Sequence, residues 1–221
     1  MVAGGLRLQK RFPPDARHLP GRVATFTTLM LAQVASCIVT ELYQAGIRSD
    51  SVSRTLLAGI TLLGLWSAYF DRIYYAPAQA LSEHQRTGPF WTWLYLHLPL
   101  TILLLVSGVG LALAISPKPN LPLINWLVGV GVGGSFIITG LLAWVNQWAT
   151  HHLRSSRKVT IRLTLGISLV LAAPWVSPLL LLLLCAGTSL VVLLTDQLSP
   201  FASADNPPIS ASRFARRSLG Q

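Results

Sequence analysis

The sequence predicts an all-α membrane protein: a bundle of six transmembrane helices with both termini in the cytoplasm. Three observations support this fold class. Only 11% of the 221 residues are charged, against about 25% in an ordinary soluble domain. The charges lie between long apolar runs rather than within them. Lysine and arginine are also distributed unequally between the two sides that these runs define.

Five stretches of the chain contain no Asp, Glu, Lys or Arg, and a spanning helix requires about 20 predominantly apolar residues. The last stretch, residues 163–195, is long enough for two helices, and Pro174 and Pro178 divide it. Continuous apolar runs favour helices over the shorter, alternating strands of a membrane barrel. The predicted spans are residues 23–45, 55–76, 90–115, 123–148, 159–176 and 178–198.

Six spans place the loops alternately on two sides, and the basic residues favour one side. Of the 17 lysines and arginines, 14 fall on the side of the termini and three on the other. This asymmetry is the positive-inside pattern, so we expect cytoplasmic termini and a location in a bacterial inner membrane. The three residues on the opposite side are Arg48, Arg54 and Lys118.

The net charge of +10 suggests an anionic partner. No compact basic face with interleaved aromatic residues is present, which argues against nucleic acid. The basic loop of residues 154–162 and the basic stretch of residues 213–217 instead predict attraction to anionic membrane lipid.

The predicted spans divide the chain into three parts. Residues 1–22 form a basic cytoplasmic arm, in which Pro20 and Gly21 discourage helix. Residues 23–198 form one six-span membrane domain. Residues 199–221 are polar, rich in Ser and Pro, and predict a disordered basic tail.

Charge is expensive in hydrocarbon, so polar groups inside the predicted spans are the first candidates for function. Asp71 and Arg72 lie about 7 Å from the end of the second span, and His97 lies about 10 Å into the third, at 1.5 Å per helical residue. Because these spans are antiparallel neighbours, we expect the three side chains to meet at one depth. Thr27 of the first span lies at a comparable depth, as a polar lining residue.

Three interpretations of this cluster remain open. It is an ion-paired clasp that fixes the second helix against the third, a functional proton- or ion-linked cluster, or a pair of Asp71 and Arg72 exposed to water at the interface. Arg72 also has the option of extending its side chain to the cytoplasmic surface.

Gln33 lies about 16 Å into the first span, close to the middle of the membrane. An amide at that depth is expected to find a partner on another helix. Within the predicted spans no carboxylate lies near mid-membrane, which argues against a proton-coupled pump with a titratable relay.

Gly129 and Gly133 lie one helical turn apart in the fourth span. Small residues at this spacing let a neighbouring helix approach closely. The pattern predicts internal close packing, and a dimer seam or a kinked helix along a pathway remain alternatives. Self-association of the chain into a homo-oligomer through this face is therefore a hypothesis.

No pattern of an enzyme, a metal site or a cofactor site is present. Within the spans only His97 is available, whereas a membrane haem requires two axial histidines, and no thiolate or carboxylate accompanies His151 and His152 at zinc-ligand spacing. Cys37 and Cys185 are interpreted as packing residues. The alternative for Cys37 is a lipoprotein cleavage site, since it follows Val-Ala-Ser.

Three segments of the chain resemble the C-terminal half of the bacterial low-temperature-requirement A (LtrA) membrane proteins. They are HLPGRVATFTTLMLAQ (18–33), WSAYFDR (66–72) and YLHLPL (95–100). Family members have similar strings of the form H-x-x-E-R-F-G-L-F-T, W-W-x-Y-F-D and Y-x-H-L-P, in this order. The resemblance extends over about residues 18–145, and the last two spans are similar in hydropathy only.

Two positions depart from the family pattern. Gly21 stands where the family has Glu, and Gln33 stands where its L-G-E-S string has an intramembrane Glu. Family proteins are also about twice as long as this chain. The resemblance therefore implies a fold and an association with growth at low temperature, and it does not imply a reaction.

Two functions from different classes follow. The first is transport, permeation or sensing at a cluster of Asp71, His97 and Gln33, with Arg72 as charge partner and Thr27 as lining. The second is a membrane scaffold or assembly partner whose polar cluster is purely structural.

Overall fold

The computed structural model describes residues 18–70, 87–116, 122–150 and 156–197. Within these ranges all regular structure is helical, which confirms the all-α prediction. The α-helices are α1 (Leu19–Ala45), α2 (Ser49–Phe70), α3 (Thr87–Ile115), α4 (Pro122–Val128), α5 (Gly134–Thr150), α6 (Ser156–Ala172) and α7 (Pro178–Gln197). A π-helical segment, Gly129–Gly133, joins α4 to α5, and a 3₁₀ turn, Ala173–Trp175, follows α6.

Five helical units are long and apolar enough to cross a membrane, and they match five of the six predicted spans. The predicted second span, residues 55–76, corresponds to α2. This helix begins earlier than predicted, and Asp50 and Arg54 in its first turns lower its mean hydropathy. Residues 71–76 lie outside the described residues. The five units are Leu19–Ala45, Gly88–Ile115, Pro122–Ala149, Arg157–Trp175 and Pro178–Gln197.

Helix α1 begins at Leu19, four residues before the predicted start of the first span. Pro20 lies in its first turn, where the missing N–H of a proline removes no intrahelical hydrogen bond. The helix ends at Gly46, which has a φ of +78°. Glycine adopts such a positive φ without steric cost, so the chain can turn sharply there into α2.

Helix α3 packs against α1 on one side and against the α4–α5 rod on the other, and a third face at Leu98 and Ile102 is exposed. Backbones approach closely on both sides. A Cβ at Gly108 would lie 3.3 Å from the Cα of Val34 in α1, and one at Gly110 would lie 2.7 Å from the backbone nitrogen of Val128. These contacts fix α3 as the element around which the other helices are arranged.

Helix α2 packs most extensively against α7, not against its sequence neighbours α1 and α3. The closest approach is at Gly64, where a Cβ would lie 2.7 Å from the Cα of Ser189. The Ser189 hydroxyl donates a hydrogen bond to the backbone oxygen of Thr61 at 3.4 Å. This pairing brings the end of α7 beside the end of α2.

The predicted break between the last two spans is confirmed. After the 3₁₀ turn, Val176 is extended and Pro178 begins α7. The side-chain nitrogen of Asn125 in α4 donates to the backbone oxygen of Val176 at 2.8 Å and holds this turn. Because the connection is short, α6 and α7 are antiparallel, and the first turns of α6 lie level with the last turns of α7.

The core is apolar, and so is much of the outer surface. Trp93 and Phe136 are buried inside the bundle, whereas Leu29, Ile102 and Leu171 are exposed. Large exposed apolar areas are unusual for a soluble monomer but are what lipid contact requires. The outer surface of the bundle is therefore suited to contact with lipid, and its interior is packed with apolar side chains.

Candidate functional site

A buried charged cluster joins three helices at the end of the bundle where α2 and α7 end. Its centre is Asp196, whose carboxylate oxygens both accept hydrogen bonds of 3.0 Å from one guanidinium nitrogen of Arg162. The ammonium group of Lys158 lies 3.5 Å from the same carboxylate. The hydroxyl of Ser67 donates to it from α2 at 3.3 Å. We call Ser67, Lys158, Arg162 and Asp196 the charged cluster.

The dipoles of α6 and α7 do not stabilise the charges of Lys158 and Asp196. Asp196 lies in the last turn of α7, where the helix dipole disfavours an anion, and Lys158 lies in the first turn of α6, where it disfavours a cation. Lys158 and Arg162 are one turn apart, so both project from the same face of α6. The side chain of Arg162 is only 2% exposed. The favourable partner of each charge is thus on another helix.

The second polar group is a neutral seam around His97, between α3 and α2. The Nδ1 atom of His97 lies 2.7 Å from the backbone oxygen of Trp93, and its Nε2 atom lies 3.2 Å from the hydroxyl of Tyr69. A carbonyl oxygen can only accept, so Nδ1 holds the proton. In the neutral ring, Nε2 then accepts from the Tyr69 hydroxyl. Both ring nitrogens are satisfied without a charge.

Aromatic rings enclose this histidine. The ring centroids of Trp93 and His97 are 4.5 Å apart and those of Tyr69 and His97 are 5.7 Å apart, both in edge arrangements. His97 itself is 5% exposed. The seam is thus a buried contact between α3 and α2.

The structure brings together only part of the predicted cluster. His97 meets α2 at Tyr69, which precedes the predicted partners in the same string. Asp71 and Arg72 lie outside the described residues. The hydroxyl of Thr27 is fully buried but donates within its own helix, to the backbone oxygen of Val23 at 3.0 Å.

Gln33 lies exposed on the outer surface of α1. Within the described residues the structure gives it no contact with another helix, so the predicted interhelical partner stays a prediction. Its side-chain nitrogen contacts the sulfur of Cys37, one turn further along the same helix, at 3.7 Å. Hydropathy indicates the depth of a residue, whereas the direction of its side chain depends on which face of the helix packs.

Gly129 and Gly133 lie in the π-helical segment and face α6. A Cβ at Gly133 would lie 2.6 Å from the backbone oxygen of Gly166, and one at Gly129 would overlap the side chain of Ala173. Both glycines are buried inside the bundle. They permit internal close packing, so this face is not available to a second copy of the chain.

Sequence reasoning missed the charged cluster, and assigned Arg162 to a lipid-facing loop. The relevant signal is the charge-free run of residues 163–195, which is bounded by Arg162 and Asp196. A turn in the middle of that run brings its two ends together. The described residues contain no group of three or more His, Cys, Asp or Glu side chains that could hold a metal ion.

Comparison with known proteins gives one family. The family model described as "Bacterial low temperature requirement A protein (LtrA)" matches residues 2–195. The match extends beyond the three motifs at both ends and includes Arg162. Searches of curated proteins and of solved structures found no match. The chain therefore belongs to the LtrA family, and it is a bacterial membrane protein linked to growth at low temperature.

Proposed function

We propose that this protein translocates an ion or a small polar solute across the bacterial inner membrane, and that the charged cluster controls the conformational change. In this proposal the pair of Arg162 and Asp196 holds α6 and α7 together in one state. Separation of the pair, with Lys158 and Ser67 as alternative partners, permits a second state.

The observation that supports this proposal is the burial of the Arg162–Asp196 pair. A buried ion pair contributes little net stability, because the cost of removing both charges from water offsets their attraction. Well-packed apolar residues of similar size stabilise such a position equally well or better. Ionisable groups inside membrane proteins are accordingly associated with pathways and switching elements.

The composition of the cluster also suits a switch. Asp196 has two cationic neighbours, Arg162 and Lys158, one turn apart on α6. A shift of α7 by about one turn along α6 would exchange one cation for the other without leaving the carboxylate unpaired. Such one-turn steps between discrete packings are a known type of switching motion.

The decisive variant is the double replacement Arg162→Met with Asp196→Leu, which keeps apolar volume and removes both charges. We expect a folded, abundant protein that fails to support growth at low temperature. In proteoliposomes loaded with the pH indicator pyranine, under a potassium diffusion potential, it should differ from the wild type in proton entry. The matched control is Arg54→Met with Asp50→Leu, which removes a 3.1 Å pair at the other end of α2 whose Asp50 is 64% exposed, together with the hydrogen bond from Arg54 to the backbone oxygen of Ala114.

The second candidate is a membrane scaffold without transport, and the buried seam around His97, in which both ring nitrogens have a partner, favours it. On this alternative, the Arg162→Met/Asp196→Leu variant supports growth in the cold as well as the wild type does. That result in a normally abundant protein would reject the transport proposal. Proton entry equal to that of empty liposomes for the wild type would reject proton translocation specifically. Uptake of radioactive rubidium ions into the same proteoliposomes tests other cations.

A further inference from the structure

The outer face of α1 has a regular pattern that its packing inside the bundle does not use. Seven of its exposed positions follow spacings of four and three residues along the whole helix, which is the heptad pattern of a helix that pairs with another in a left-handed coil. The exposed face is broader than this stripe and also includes Thr25, Thr28, Ala32, Val39 and Gln44. The opposite stripe is already buried against the bundle and includes Thr27, Leu31, Val34 and Ile38. The exposed stripe consists of Arg22, Phe26, Leu29, Gln33, Ser36, Thr40 and Tyr43.

Gln33 lies at the centre of this stripe. It is about 20 Å from either end of the 27-residue helix, at 1.5 Å per residue. The contact given by the structure is a weak one, to the sulfur of Cys37. An amide that faces lipid at this depth loses its hydrogen bonds to water, so a partner with both donors and acceptors stabilises it.

We propose that α1 pairs with α1 of a second copy of this chain, with the two Gln33 amides hydrogen-bonded to each other. Two copies inserted in the same orientation are related by a twofold axis along the membrane normal, which makes their α1 helices parallel and in register. An amide is its own complement, because it offers both N–H donors and a carbonyl acceptor. A single polar residue at a central seam position is a device that specifies register in coiled coils.

The ends of the stripe agree with this pairing. Arg22 and Tyr43 lie near the two ends of α1, where water and lipid headgroups solvate them. Between them the seam contains no charge, so like charges do not meet inside the membrane. This proposal concerns a different helix from the charged cluster and does not depend on the transport proposal.

The test is disulfide crosslinking in native membranes. Ser36 lies one turn from Gln33 in the seam, where equivalent positions of two parallel helices face each other. We expect Ser36→Cys, in a Cys37→Ser background, to give a disulfide-linked dimer of twice the 24.0 kDa chain mass after oxidation with copper phenanthroline. Cys185 is fully buried, so we expect it to form no crosslink. The matched control is Ile102→Cys in the same background, which is 61% exposed on α3.

The role of the amide is tested by adding Gln33→Leu to the Ser36→Cys chain. Interhelical hydrogen bonds in membranes contribute on average about 0.6 kcal/mol each, so the loss of two should lower the association constant of the two copies about sevenfold and reduce the crosslinked fraction with it. Because Gln33 lies on the outer surface, we expect the amount of folded protein to stay unchanged. Gln33→Asn should restore part of the crosslinking.

Three results would overturn the proposal. They are equal crosslinking of the Ser36→Cys and Ile102→Cys chains, a Ser36→Cys product that contains another protein instead of a second copy, and unchanged crosslinking after Gln33→Leu.

Discussion

The charged cluster and the histidine seam bury polar groups in two different ways, two residues apart on α2. Ser67 donates to Asp196 of α7, and Tyr69 lies beside His97 of α3. The seam is neutral, and each ring nitrogen of His97 has one partner. The cluster is charged, and its central carboxylate depends on groups from two other helices. We therefore expect the loss of one member to cost less free energy of unfolding in the seam than in the charged cluster.

The largest expected effect is that of Asp196→Ala. This change leaves Arg162 and Lys158 beside each other without the carboxylate that they share. Removal of one partner from a buried ion pair costs about 3–5 kcal/mol of unfolding free energy. Titration of the purified protein with SDS in micelles measures it. A loss below about 1 kcal/mol would mean that water solvates the cluster, and the contrast with the seam would then disappear.

The next expectation concerns Arg162→Met combined with Asp196→Leu. Because Arg162 and Asp196 leave together, the charge that loses its carboxylate is Lys158, whose side chain is 18% exposed, and the loss relative to the wild type should be about 1 kcal/mol or less. The same SDS titration, applied to both single variants and the double variant, gives the coupling energy. Additive losses would show that the two residues stabilise the bundle independently.

A substitution in the histidine seam should reduce the free energy of unfolding less than one in the charged cluster. His97→Leu keeps most of the side-chain volume but removes the hydrogen bonds to Trp93 and Tyr69. We expect a loss of about 1–2 kcal/mol, since each neutral hydrogen bond contributes about 1 kcal/mol or less. SDS titration and the yield of folded protein measure it. A loss as large as that of Asp196→Ala would imply that His97 is charged or that its seam is hydrated.

The bundle was predictable from the sequence because hydrocarbon imposes a simple requirement on each span. Length, continuous apolar character and the Pro174–Pro178 break located five of the six spans within a few residues of the helices found. Helix ends were less accurate. Pro20 discouraged an early start for α1 in the prediction, although a proline is tolerated in the first turn of a helix.

The candidate site was only partly predictable, because the hydropathy of a span does not indicate which other helices it contacts. The depth of His97 is readable from the sequence, but Arg162 and Asp196 are separated by 33 uncharged residues, from 163 to 195, and hydropathy does not pair them. The sequence also does not predict in which direction the Gln33 side chain points. Its depth follows from counting residues, whereas its exposure depends on α3 packing against the opposite face of α1.

The smallest expected effect belongs to Tyr69→Phe, and it tests the hydrogen bond of the seam most directly. The change removes one hydroxyl and keeps the ring that packs on His97 and on Phe70. An interhelical hydrogen bond of this kind contributes about 0.6 kcal/mol, so we expect a loss of about that size in SDS titration. In the His97→Leu background, Tyr69→Phe should leave the free energy of unfolding almost unchanged, because the ring nitrogen that accepts from the Tyr69 hydroxyl is already absent. An equal cost in both backgrounds would assign the stabilising contact of the Tyr69 hydroxyl to a group other than His97.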